Sequence, residues 1–191
     1  MRTTRLACRR LAIACAAATL ALTGCGGGGS YSSGSDPSYD SPIINEDVPE
    51  MDIKNLPDIE ATRVQMLDLI ERVRSEISRL VPASDPWTWR REESRGACDN
   101  NGQRGVRMYF ANLTSRHSFT DEEWALVLPE IERLAADAGL TNGSAMQNSP
   151  GAHDVRITSD DGRELRFGSI EASLITGTIA CRLPAGGSGA P

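Results

Sequence analysis

The stretch from Pro57 to Val81, PDIEATRVQMLDLIERVRSEISRLV, sets Ile59, Met66, Ile70, Val73, Ile77 and Leu80 at three- and four-residue steps. That spacing predicts one long helix with a single apolar stripe. Pro57 suits a helix start and Pro82 ends the run. The charges fall opposite the stripe, with Asp68–Arg72 at i,i+4 and Glu71–Arg74 and Glu76–Arg79 at i,i+3, which reads as a solvated face. A stripe of this length cannot stay in water, so the rest of the chain must cover it.

Beyond Pro82 the period changes. Trp87–Glu92, WTWRRE, alternates, and Val106–Leu113, VRMYFANL, reads as a second strand. Asn101-Gly102 between them tolerates positive φ at both positions and predicts a hairpin. A second helix opens at Thr120 and Glu123, a capping box, with Phe119 and Trp124 at the spacing of a hydrophobic staple. Pro129 should kink it and Gly139 should end it. After a polar loop, His153–Ser159 and Glu164–Ile170 flank Asp160-Asp161-Gly162 as another hairpin. Ala172–Leu183 makes a last strand, with Gly177 as a candidate bulge. The order α-β-β-α-β-β-β predicts an α+β two-layer sandwich, with both helices on one face of an antiparallel sheet. The domain is expected over residues 57–184, with a disordered tail at 185–191.

The N-terminus concerns address. Arg2, Arg5, Arg9 and Arg10 precede twelve apolar residues, Leu11–Leu22. Spanning a bilayer takes roughly 20 such residues, so the run is a signal rather than a membrane helix. Leu22-Thr23-Gly24-Cys25 then has the form of a lipobox, which makes residues 1–24 a lipoprotein signal peptide and Cys25 the lipidated residue. Removing the signal leaves 16 basic against 26 acidic side chains, a net charge of −10. Nucleic acid is a poor partner for such a chain, and anionic lipid would repel it. The acyl chains on Cys25 must therefore hold it to the cell membrane, on the extracytoplasmic face. Residues 25–56 are rich in Gly, Ser, Asp and Glu, and are expected to form a disordered tether.

Of five cysteines, Cys8 and Cys15 leave with the signal and Cys25 carries lipid, so Cys98 and Cys181 remain in an exported domain. Pairing is the default there. Two free thiols, or a thiol nucleophile with a base, are the alternatives.

No catalytic motif and no metal-ligand spacing is present, and no cofactor is implied. His117 and His153 are the only histidines, and His153-Asp154 could be half of an acid–base pair or simply a hairpin-edge histidine. The surface residues best suited to contact a ligand are Trp87, Trp89, Arg90 and Arg91. Alternation puts both tryptophans on one face and Arg90 on the other. The helices are expected to cover the tryptophan face, which makes both rings core and leaves the Arg90 face open. The reading favoured is an envelope-surface binding module with an envelope protein or lipid as partner. A carrier of an apolar ligand and an envelope hydrolase are the alternatives.

WTWRREESRGAC, Trp124 at the opening of the second helix, PGAHDV, RFGS and TGTIACRLP together resemble the LppA-type lipoproteins of mycobacteria and related actinobacteria. The resemblance implies a cell-surface lipoprotein with a disulfide and no assigned active site.

Overall fold

A computed structural model describes residues 52–186. The expected signal peptide, Cys25, the expected tether up to residue 51 and the last five residues lie outside it. The first helix, α1 (Ile59–Leu80), is capped by Asp58, whose carboxylate accepts from Ala61 N at 2.8 Å. Pro57 therefore precedes the cap. Ile59, Met66, Leu69, Ile70, Val73 and Ile77 are buried, as the stripe requires. The ordered chain begins earlier than Pro57. Ile53 is fully buried in a short turn, and the Asp52 side chain accepts from Lys54 N at 3.0 Å. One apolar side chain among acidic neighbours is enough to bring this end of the expected tether into the domain.

Eight strands, β1 (Thr88–Arg90), β2 (Ser94–Asn100), β3 (Gln103–Tyr109), β4 (Asn112–Ser115), β5 (Asn142–Ser149), β6 (Ala152–Thr158), β7 (Arg163–Ser169) and β8 (Ser173–Arg182), form one antiparallel sheet. Its order is β1-β4-β8-β7-β6-β5, with β3 of the β2–β3 hairpin also paired to β8. The second helix, α2 (Asp121–Asp137), packs beside α1, and both lie against one face of the sheet. This is the α+β sandwich expected.

The strand pairing differs in three places. Asn101 (φ 52°) and Gly102 (φ 77°) do turn a hairpin, but it joins β2 to β3. The expected strand 106–113 is broken at Phe110, whose N–H donates to Gly177 O at 3.0 Å. Its second half, β4, takes β1 as partner, with Trp89 opposite Leu113. Residues 142–149, expected as a polar loop, form edge strand β5; every residue in it is exposed, so it carries no period that could announce a strand.

Pro129 lies inside α2, which continues through it. It is exposed, and the carbonyl it leaves unpaired belongs to Ala125, which is exposed as well. Gly177 is in register opposite Leu165 rather than bulged. A Cβ there would meet Glu164 O at 2.7 Å and Met66 Cε at 3.1 Å, so the glycine lets α1 approach the sheet. The irregularity in β8 comes later, where Met108 pairs with Ile179 but Val106 with Arg182.

That bulge brings Cys181 to Cys98, and the two form a disulfide across 83 positions of sequence. Cys98 lies on β2 opposite Gly105 of β3. A Cβ at Gly105 would sit 2.5 Å from Arg182 O and 2.8 Å from Cys181 Sγ. The bridge closes because residue 105 has no side chain. Gly105→Ala is therefore expected to lower the melting temperature by several degrees, as overpacking costs about 1–3 kcal/mol. It should also leave part of Cys98 and Cys181 open to alkylation. Cys98→Ser should cost about 2–4 kcal/mol. Calorimetry with thiol labelling checks both, and a Gly105→Ala protein with native melting and a complete bridge would contradict the crowding.

Candidate functional site

Side chains of directly opposed strand residues share a face. Leu113, Ile175, Phe167 and Val155 form one row across four strands, all buried under the helices. The adjacent row points the other way: Arg90, Asn112, Thr176, Arg166, Arg156 and Ser144. Tyr109, Thr178, Glu164 and Thr158 make the next outward row. Arg107, on the same face as Tyr109, lies beyond them. No described element covers this outer face. A cleft of about 530 Å³ lies on it, lined by Arg107, Tyr109, Asn142, Arg156, Glu164 and Thr178 among others.

The charges on the cleft side are unevenly matched. Arg156 Nε donates to Glu164 at 2.6 Å, and Arg166 Nε to Asp154 at 2.9 Å. The Asp154 carboxylate raises the Arg166 guanidinium's pKa further. Arg90 and Arg107 are exposed and have no ion-pair partner among the described residues. Tyr109 is 47% exposed.

The four residues singled out as contacts are not brought together. Trp87 and Trp89 lie on the helix side and Arg90 on the outer side, as alternation predicts. Arg91 occupies the turn after β1, with φ at 66°. The expectation that both rings are core needs correcting. Trp87 is half-buried against the core, its Nε1–H reaching Ser84 Oγ at 3.4 Å, but Trp89 is 45% exposed. The reason is topological: β1 is the edge of the sheet, so a neighbouring strand flanks Trp89 on one side only. Trp89 instead borders an open groove of about 280 Å³ with Arg63, Leu67, Glu93, Phe110 and Ala111.

His153 and Asp154 point to opposite faces and cannot act as a pair. His153 is buried, its ring parallel to Trp124 at 4.7 Å. Its Nε2 lies 2.9 Å from Asp121 Oδ1 and its Nδ1 2.9 Å from Asn148 Oδ1. The N–H of Gly151 donates to the same Asp121 oxygen at 2.8 Å, and these two bonds, Gly151's first, hold the Asp121 carboxyl below the usual aspartate range. Ser115, Ser169 and Ser173 continue the His153 row inward. Ser169 Oγ accepts from Phe119 N at 2.8 Å and Ser173 Oγ donates to His117 O at 2.6 Å, so they secure the loop entering α2.

A second buried charge is invisible in the sequence pattern. Arg182 is fully buried beside the disulfide, and burial lowers its pKa. Its counter-charge is Asp161, at 3.4 Å, which also receives Arg163 Nε at 2.9 Å. Burial works to raise the Asp161 carboxyl, but the Ser159 hydroxyl and the two arginines outweigh it and the net effect is downward. Asp160-Asp161-Gly162 is thus a turn, as expected, and also the anchor of a buried cation. Among the described residues no group of three His, Cys, Asp or Glu side chains could hold a metal ion.

The fold is thus a disulfide-linked α+β sandwich with one open sheet face. Residues 44–185 match the model of the LppA family, described as "Lipoprotein confined to pathogenic Mycobacterium", and the chain belongs to that family. Its fold is also that of a crystal structure of LppA from Mycobacterium tuberculosis, at TM-score 0.54 and 19% identity, covering 73% of this chain and 89% of that one. A DUF4853 family protein from Actinomyces odontolyticus is more distant, at TM-score 0.44 and 15% identity over 70% and 72% of the chains. No curated protein matches the chain.

Trp124→Ala should cost about 3–5 kcal/mol and Trp89→Ala less than about 1, with Trp87→Ala between them, read by denaturant titration. Asp121 has a lowered folded pKa, so its charge stabilises above the ordinary aspartate value of about 3.9 and that stabilisation is lost as pH falls through the lowered one. The melting gap between wild type and Asp121→Asn should be open near neutral pH and close in acid. A gap that persists unchanged in acid would rule out the charge as its source.

Proposed function

We propose that this protein is a lipid-anchored binding module, held on the extracytoplasmic face of the cell membrane by acyl chains on Cys25. In this reading the ligand or partner meets the uncovered sheet face. The observation that supports it most is the combination of an inner face whose central strands are buried under two helices with an outer face that carries a cleft, a half-exposed Tyr109 and two arginines without ion-pair partners among the described residues. Membership of a lipoprotein family agrees with the anchor. No described helix is long and apolar enough to cross a membrane. Arg90 remains a contact candidate because it shares this face. Trp89, at the β1 edge, is a separate and smaller locus.

The carrier reading has less support. An apolar ligand would need space between helices and sheet, and that layer is filled by Met66, Ile70, Val127, Ile131, Leu165 and Phe167, all essentially inaccessible to solvent. A hydrolase has less support again, because both nitrogens of His153 are occupied by Asp121 and Asn148.

A photo-crosslinking residue placed at Tyr109 in the full chain, in intact cells, should give a discrete adduct. The same residue at Val64, on the exposed side of α1, should not. Adducts of equal yield at both positions, or none at Tyr109, would count against the outer face. Cys25→Ala should separately shift the protein out of the detergent phase, and unchanged partitioning would remove the lipid anchor.

A further inference from the structure

Charge is segregated between the two layers of this domain. α2 carries six acidic residues and one arginine, whereas the acidic and basic residues of α1 balance. The outer sheet face is the reverse: Arg90, Arg107, Arg156 and Arg166 stand against Asp154 and Glu164 on the strands. Asp160, in the turn at the cleft rim, is held by Asn142 Nδ2–H at 2.9 Å. A chain with a net charge of −10 after processing thus gathers cations on the one face its helices leave open.

We propose that this face binds an acidic saccharide, one whose sugar rings carry carboxylate or phosphate groups. The proposal rests on the reading of the outer face as the binding surface and adds the ligand's chemistry. The Arg107 guanidinium has no hydrogen-bond or ion-pair partner among the described residues, and a carboxylate or phosphate oxygen would satisfy it by a bidentate charge-assisted bond. Arg156 spends its Nε on Glu164, which leaves its outer N–H groups facing the same cleft. Tyr109 lines the same cleft on the strand of Arg107, with Thr178 opposite it. An aromatic ring with an apolar face and a polar edge suits a sugar ring, whose C–H groups lie on its faces and whose hydroxyls lie on its rim. Thr158, Thr178, Asn100 and Asn142 in the lining offer both donors and acceptors, which is what hydroxyls require.

An anionic membrane surface is the competing polyanion, and the geometry argues against it. A flat bilayer cannot enter a cleft, and a peripheral face needs a contiguous apolar patch to insert, whereas the exposed apolar side chains Tyr109 on β3, Met146 in the β5 irregularity and Ile170 in the turn between β7 and β8 lie on separate elements.

The test uses the acylated full chain in detergent micelles and saturation-transfer NMR observed on the probe. Trigalacturonate supplies carboxylated rings, glucose phosphate a phosphorylated ring, maltotriose neutral rings, and glycerol phosphate a lipid headgroup without a ring. Saturation should reach trigalacturonate, glucose phosphate or both, and weaken with salt. It should not reach maltotriose or glycerol phosphate comparably. Arg107→Ala and Arg156→Ala should each weaken the acidic probe roughly tenfold or more. Tyr109→Ala should remove ring-proton saturation, whereas Arg133→Ala on α2 loses the same charge with no effect. These positions are exposed and should leave melting near native, so loss of binding cannot be ascribed to unfolding. Equal transfer to maltotriose would overturn the charge requirement, and transfer to glycerol phosphate alone would favour a headgroup. A Tyr109 crosslink without any acidic saccharide binding would discard the ligand class and keep the surface. Failure of both would discard the surface too.

Discussion

The ten residues of β8 are the constraint on which the other elements depend. One edge of this strand pairs with β7; the other is shared by β3 and β4, a single stretch of chain interrupted at Phe110. Ser173, Ile175, Gly177 and Ile179 alternate inward along it, and the missing side chain at Gly177 admits Met66 from α1 and Phe110 from the break. The strand then bulges, turns Cys181 toward Cys98 and buries Arg182 on the opposite side. Interior packing at ordinary density tolerates little change of volume, so these neighbours are mutually determined. An insertion in β8 would move a helix, two strands and the disulfide together.

From that arrangement comes an asymmetric molecule. Both helices are spent covering one face, and nothing described covers the other. The inner face contains its polar groups by pairing them internally: His153 with Asp121 and Asn148, the serine row with the loop before α2, and Arg182 with Asp161. The outer face keeps Arg90 and Arg107 without ion-pair partners among the described residues, and Tyr109 half-exposed. Polar chemistry that could meet a partner is concentrated where solvent reaches it.

How much of this was legible in the chain varies with distance along it. Both helices, the Thr120–Glu123 capping box and the Asn101-Gly102 turn were readable, because caps, stripes and tight turns are interactions between residues within a few positions of each other. Edge strand β5 was not, since all eight of its residues face water and no hydrophobic alternation marks it. The burial of Trp89 was misjudged for a related reason. Alternation assigned it the correct side of the sheet, but which strand lies at the edge is a property of sheet order. Arg182 sits in an apolar strand as an ordinary arginine would, and its burial depends on an aspartate in a turn whose own role looked purely conformational.

The sequence by itself determined the fold class, the two α-helices, and the side of the sheet on which Trp89 lies. It also placed two cysteines, Cys98 and Cys181, within the folded region. The tertiary structure decided strand partners, the position of the edges and the identity of the open face. The physical reason is that pairing joins residues such as Trp89 with Leu113 and Met108 with Ile179, and a backbone ladder is nearly indifferent to which side chains it carries. Only the packing of the whole sheet under two helices selects among the possible ladders. The arginines of the outer face come to share one surface only once that selection has been made.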